Sequence, residues 1–214
     1  VHSAWPMLLA GGMQILNNET SVFMLVILQK PEDVGLFRVA QRGAVLIPFG
    51  LQAVNKALAP TISQMYTNRE KERLQRMISK SILVAMAFAL PVALLLILGG
   101  KWILPFVFGQ EYAPAYLLLV ILCLGQIANV GMGSVAVILN MSGLEKYTAK
   151  GVAIAAICNV ALNITLIPIL GSLGAAIATS TGLIIWNALL VMYLYRETGV
   201  VSTLMWKNIF FFFF

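Results

Sequence analysis

The sequence predicts an all-α integral membrane protein, a six-transmembrane-helix bundle. Three observations carry that prediction. Hydrophobic residues fill 60% of the 214 positions and charged residues only 10%, whereas a soluble domain carries about 25% charged residues. The mean hydropathy is +0.91, and the apolar residues fall in long runs separated by short polar turns. No stretch alternates apolar and polar residues at the period of two that a membrane barrel needs. A chain of this length holds one helical bundle without a separate soluble domain.

The first span is expected at 5–28. Its middle reads Asn17-Asn18-Glu19-Thr20, polar residues near the bilayer midplane. An acid at that depth marks a site or proton path, or else pairs with a cation on the next helix, Lys56 or an arginine. Pro31, in the turn Gln29–Asp33, stops the helix from continuing.

The second span, 34–66, organises the rest. Arg38, Arg42, Val45, Phe49, Gln52 and Lys56 follow steps of four, three, four, three and four. On one unbroken helix that spacing stacks them on a single face, with Asn55 beside it. A cation inside hydrocarbon costs several kcal/mol unless it faces water, a partner or a polar cavity. The stripe therefore points to an interior lined for something negative, with Arg38 and Arg42 also near enough to one end to snorkel. Pro48 and Pro60 interrupt the span and mark places where it bends.

Residues 67–80 carry Arg69, Lys71, Arg73, Arg76 and Lys80 and read as a basic cytoplasmic loop with a short surface helix. The third span, 81–98, is nearly all apolar and is expected to end at Gly99-Gly100, before an aromatic re-entry over Trp102–Phe108. The fourth, 113–141, has Gln126, Asn129 and Asn140 as its polar residues. The fifth, 151–170, carries Asn159 and Asn163 on one face as interhelical glue, and the sixth, 174–195, opens with Gly174, Ala178 and Gly182, small residues that admit a close helix neighbour.

Six spans set the sidedness. Besides residues 67–80, Lys146, Lys150, Arg196 and Lys207 fall on one side, against Lys30, Lys101 and Arg38 on the other. That bias places both ends of the segment in the cytoplasm. It also explains most of the formal charge of +6 without nucleic acid as a partner. Cys123 and Cys158 sit in apolar runs as core residues, His2 stands alone, and no metal site, cofactor, phosphate loop or nucleophile triad is expected. The closing run Phe210–Phe214 has interfacial character.

Three stretches resemble one family. PEDVGLFRVAQRGAVLIPFGLQAVNKALAPTISQMY resembles the helix of polysaccharide flippases in which an arginine follows a glycine–aromatic pair ahead of two prolines. FVFGQEYAPAYLLLVIL resembles the entry to their tenth helix, and NVALNITLIPILGSLGAAIATSTG their most specific signature. Together they span almost the whole chain in the expected order. The chain thus resembles the C-terminal lobe, residues 1–214, of a polysaccharide or O-antigen flippase of the multidrug/oligosaccharidyl-lipid/polysaccharide exporter superfamily, with the N-terminal lobe missing.

The resemblance implies a transporter, not an enzyme, in a bacterial or archaeal cytoplasmic membrane. Its cargo would be an undecaprenyl-pyrophosphate-linked oligosaccharide, and its partners membrane lipid and the N-terminal lobe of the same transporter. Arg38, Arg42, Gln52 and Lys56 are the expected substrate contacts. Asn17, Asn18, Glu19 and Asn55 are the expected coupling or cavity residues. Two other readings stay open: a cation-coupled multidrug or peptidoglycan-precursor exporter of the same superfamily, and a membrane scaffold that transports nothing.

Overall fold

The computed structural model describes residues 19–203. They form α1 (Glu19–Leu28), α2 (Pro31–Ala44), α3 (Phe49–Thr67), α4 (Lys71–Phe108), a single 3₁₀ turn (Gln110–Tyr112), α5 (Ala115–Met132), α6 (Val135–Met141), α7 (Glu145–Leu170) and α8 (Ser172–Thr198). The expected start of the first span, with Asn17 and Asn18, and the terminal phenylalanine run lie outside the described residues. No strand occurs among the described residues. The protein is an all-α, multi-pass membrane protein. By length and composition α4, α5 with α6, α7 and α8 can each cross a bilayer, and α2 with α3 makes a fifth crossing when the pair is taken as one bent span.

The second span is not one straight helix. Its two halves meet at 52°, and Pro48 supplies the cause. It has no N–H, and its ring crowds the carbonyl four residues back, so the ladder cannot pass through it. The chain instead tightens: Leu46 N–H bonds Gly43 O at 3.2 Å and Ile47 N–H bonds Ala44 O at 3.2 Å, before Gln52 N–H bonds Pro48 O at 2.9 Å and restarts the helix. Pro60, expected to interrupt as well, sits inside α3 without breaking it.

A second break went unread in the sequence. Between α5 and α6, Gly133 takes φ +76° and ψ −155°, a region open in practice only to glycine. A Cβ there would lie 2.7 Å from Ile82 Cγ1 and 2.9 Å from Ser202 Oγ. The expected fourth span, 113–141, is thus two helices around a Gly-Ser pair, a recognised kink site.

The third span is longer than expected. Helix α4 has 38 residues, about 57 Å of helix at 1.5 Å per residue, against a hydrocarbon core of about 30 Å. It absorbs most of the basic stretch 67–80 at its start, and it passes through Gly99-Gly100 and the aromatic Trp102–Phe108 segment at its end. Gly100 is buried against Tyr116, so the glycines there serve helix packing and not termination.

Two apolar clusters hold the bundle. One joins α1, α2, α4 and α5, with Leu51 of α3, Ile167 of α7 and Ala175 and Ala176 of α8, around Leu25, Phe37, Ile47 and Leu119. The other joins α3, the start of α4, α6, α7 and α8 around Ile62, Ile78, Leu139 and Leu190. Helices α7 and α8 pack closely because Gly174 lies against the backbone carbonyl of Leu166 and Gly182 against Asn159. Asn159 Nδ2 donates to Ala178 O at 3.2 Å, and Asn163 Nδ2 to Asn159 O at 2.8 Å. Of the two, Asn159 is the interhelical glue their spacing suggested, worth about 0.6–2 kcal/mol in a membrane, while the bonds of Asn163 stay within α7.

The turns sort to two ends. Gln29 Nε2 donates to Ile167 O at 2.9 Å and Ser172 Oγ to Asp33 Oδ1 at 2.8 Å, tying the α1–α2 turn to the α7–α8 turn. At the other end Thr67, Ser142 and Thr198 line one groove of about 770 Å³, so the three basic connections lie together.

Candidate functional site: a polar cavity under the bent helix

A cavity of about 820 Å³ is lined by members of both apolar clusters, among them Leu51 and Leu122 of one and Val152 and Trp186 of the other. Every helix except α4 contributes polar side chains to it. Glu19 comes from α1; Arg38, Gln41 and Arg42 from α2; Gln52 and Asn55 from α3. Gln126 and Asn129 come from α5, Ser134 from the α5–α6 break and Asn140 from α6. Asn159 on α7, and Thr179, Trp186 and Asn187 on α8, complete the polar wall. Exposing so many amides to lipid would cost free energy at each one, so the fold gathers them inward.

The charged groups occupy one level of the cavity. Arg38 Nη2 lies 2.7 Å from Glu19 Oε2, and Nη1 3.2 Å from Oε1, a fork-on-carboxylate contact. The two side chains keep 43% and 35% of their surface exposed. That settles the choice left open for Glu19: its partner is Arg38, and Lys56 is not. Nearby, Ser21 and Thr179 share a hydrogen bond of 2.8 Å that pins α1 to α8 at this level. Arg42 lies one turn beyond Arg38, is exposed into the cavity, and forms no ion pair with any described residue.

The cavity wall elsewhere is neutral and knitted by amides. Asn187 Nδ2 donates to Asn129 Oδ1 at 2.9 Å and to Leu183 O at 3.0 Å, and Asn129 Nδ2 donates to Gln126 Oε1 at 3.1 Å. This chain of bonds fixes α5 against α8 beside the α5–α6 break. Among the described residues no group of three or more His, Cys, Asp or Glu is placed to hold a metal ion.

The expected site residues therefore divide. Glu19, Arg38, Arg42, Gln52 and Asn55 share the cavity, while Asn17 and Asn18 lie outside the described residues. Lys56, together with Phe49, drops out of the lining and is exposed on α3. The single-face stacking of Arg38 through Lys56 assumed a straight helix. The 52° bend separates the two halves, and on α3 the lining runs through Leu51, Gln52 and Asn55, which leaves Lys56 beside it. The residues not anticipated as site residues are Gln41, Gln126, Asn129, Ser134, Asn140, Asn159, Thr179, Trp186 and Asn187. Gln126 and Asn129, three apart in an otherwise apolar run, carried a signal for a polar face.

If the Glu19–Arg38 contact is a positioning ion pair, its two members are coupled. A double-mutant cycle over Glu19→Gln and Arg38→Gln is expected to give a coupling of about 1 kcal/mol, since both groups are partly exposed. Thermal unfolding of the four proteins measures it, and additive losses would contradict the pairing.

Comparison with known proteins decides the family. A family model described as "Polysaccharide biosynthesis protein" matches residues 1–117. The chain belongs to that family. It is similar to the probable low-salt glycan biosynthesis flippase Agl15 of Haloferax volcanii, at 30% identity over 164 residues, 75% of this chain and 34% of the relative. It is also similar to the probable flippase AglR of the same organism, at 29% identity over 161 residues, 74% and 34% of the two chains. The chain thus spans about a third of the length of these curated relatives.

Two solved structures share the fold of this polysaccharide biosynthesis family member. One is a crystal structure of MATE in the bent conformation, with a TM-score of 0.74 and 21% identity over 93% of this chain and 46% of that one. The other is an outward-facing multidrug resistance MATE family transporter of the MOP superfamily, with a TM-score of 0.75 and 18% identity over 94% and 46%. The arrangement of α1 to α8 therefore corresponds to slightly under half of a MATE-type chain.

Proposed function

We propose that this chain is one lobe of a flippase that carries a lipid-linked oligosaccharide, its glycan on undecaprenyl pyrophosphate, across the cytoplasmic membrane by alternating access. The observation that carries the reading is the cationic level of the cavity. Arg38 is neutralised by Glu19, which leaves Arg42 as the net positive charge facing an amide-lined space. A diphosphate is a dense anion, and the guanidinium fork suits it in charge and shape. Family membership and the printed names of the two Haloferax proteins support the same reading.

A multidrug or peptidoglycan-precursor exporter is the second reading, favoured by the MATE fold. Two arginines against one glutamate on the described wall weigh against a cationic drug as cargo, because like charge raises the cost of entry. Under either transport reading Glu19 is the candidate for coupling to an ion.

Arg42, Gln52 and Lys56 are exposed on the bent pair α2–α3, which is long and apolar enough to span a membrane. Hydrocarbon against these groups would cost several kcal/mol. A second lobe, the N-terminal half of the same transporter, would cover them and supply the other wall of the pathway. Lys56, outside the cavity of this lobe, would then face that shared pathway. The charge of the end with Thr67, Ser142 and Thr198 supports a cytoplasmic position for it. Two outcomes test this arrangement. A thiol reporter at Lys101 should label from outside intact cells and one at Asn68 should not. The segment 1–214, purified as a crosslink-verified monomer, should fail to translocate lipid, and the complete transporter should restore surface glycan to cells lacking it.

A further inference from the structure

The far level of the cavity has a chemistry of its own. Buried polar atoms there lack a hydrogen-bond partner: Asn55 Oδ1 on α3, Ser134 Oγ at the α5–α6 break, Asn140 Oδ1 on α6 and Trp186 Nε1 on α8. All four residues line the cavity, and Ser134 and Trp186 are only 5% and 8% exposed. Buried polar groups in a folded protein are normally satisfied, so four orphans gathered on the lining residues of one space point to something that enters it. They lie apart from the charged level. Trp186 is seven residues along α8 from Thr179, which marks that level through Ser21, and seven residues of helix rise about 10 Å.

We infer that this level, around Asn55, Ser134, Asn140 and Trp186, is a binding subsite for a neutral polyhydroxylated ring, that is, one sugar residue. The inference deepens the transport reading and rests on it for the source of the ring. The donor and acceptor pattern selects the ligand. A bare cation takes oxygen ligands only, and the indole N–H presents the wrong polarity to it. An anion takes donors only, and the carboxamide oxygens and the absence of any Lys or Arg from the lining around these four residues disfavour it. Hydroxyls both donate and accept, which matches carboxamides, a serine hydroxyl and one indole N–H, whichever way the amides are turned. The broken helix suits the task. Gly133 and Ser134 open the α5–α6 junction toward the cavity, and irregular backbone at membrane depth belongs where it lines a polar space. A diphosphate at Arg42 and the glycan at Trp186 would thus be held at two separate levels of one lobe.

Site-directed thiol protection tests the subsite in the complete transporter with Cys123→Ala and Cys158→Ala. Val137→Cys reports on the far level and Val45→Cys on the charged level; both positions line the cavity and neither belongs to the donor set. Methyl β-glucoside and N-acetylglucosamine are the neutral probes and inorganic pyrophosphate the charged one. A neutral sugar should slow maleimide labelling at Val137→Cys about threefold, the loss of free sites expected at about twice its dissociation constant. That protection should vanish in Trp186→Phe, which keeps the ring and deletes the donor, and in Asn140→Leu. Protection by pyrophosphate instead of sugar, or none by either probe, overturns the inference and leaves the far level to water alone. The Val45→Cys arm is separate. Sugar protection at Val137→Cys without pyrophosphate protection at Val45→Cys would leave the subsite standing and remove the diphosphate contact from the proposed function.

Discussion

In the complete transporter, Arg42→Ala is expected to slow lipid-linked oligosaccharide translocation by about 10- to 100-fold, the loss of one charge-assisted hydrogen bond of about 1.5–3 kcal/mol. Cells carrying it should accumulate the lipid-linked glycan on the cytoplasmic leaflet while keeping normal protein levels. Arg42→Lys should recover part of the rate, because the charge survives and the planar fork does not. Arg38→Ala is different in kind. Arg38 is bound to Glu19 at 2.7 Å, so its removal leaves a carboxylate facing the space the diphosphate would enter. The expected signature is a loss that Glu19→Gln partly reverses, whereas Glu19→Gln does nothing for Arg42→Ala. Equal rates in wild type and Arg42→Ala would remove this residue from the pathway.

The second large effect is structural. Gly174→Val should lower the melting temperature by about 5–10 °C, since overpacking costs about 1–3 kcal/mol and occasionally more. The reason is local. A Cβ at Gly174 runs into the carbonyl of Leu166, and backbone cannot rotate away as a side chain can. The α7–α8 pair would have to separate, taking Asn159 and its bond to Ala178 O with it. Gly131→Ala is the control: nothing lies within 4 Å of its added Cβ, so stability should hold or rise by about the 1 kcal/mol that alanine gains over glycine in a helix. Comparable melting of Gly174→Val and Gly131→Ala would contradict the close packing of α7 on α8.

These two cases show how legible the molecule was. Packing was readable where it depends on residue size and spacing: the run Gly174, Ala178, Gly182 and the amides Asn159 and Asn163 announced the α7–α8 contact. Hydropathy located the apolar helices for the same reason, because burial in lipid is a property of composition. The cavity was legible only in part. Arg42 and Glu19 stand out as charges in apolar surroundings, yet which cation meets Glu19 depends on how α1 crosses α2. Lys56 lies outside this cavity one turn beyond Gln52, because on α3 the lining runs through Leu51, Gln52 and Asn55, a detail that no helical wheel resolves. The break at Gly133 was hidden for another reason. Its φ of +76° goes with a backbone position at which an added Cβ would collide with Ile82 and Ser202, residues far away in the chain. Trp186 and Asn187 were read as part of an apolar span, since nothing local says which side of a buried helix faces a cavity.

The role of the cavity in translocation can be measured directly. The complete transporter would be reconstituted into vesicles loaded with a fluorescent diphosphate-linked oligosaccharide lipid, and leaflet exposure followed with a membrane-impermeant glycosidase. The account predicts transport by wild type, transport slowed about 10- to 100-fold by Arg42→Ala, and partial recovery in Arg42→Lys. Undiminished transport in Arg42→Ala, or faster transport of a lipid lacking the diphosphate, would contradict it.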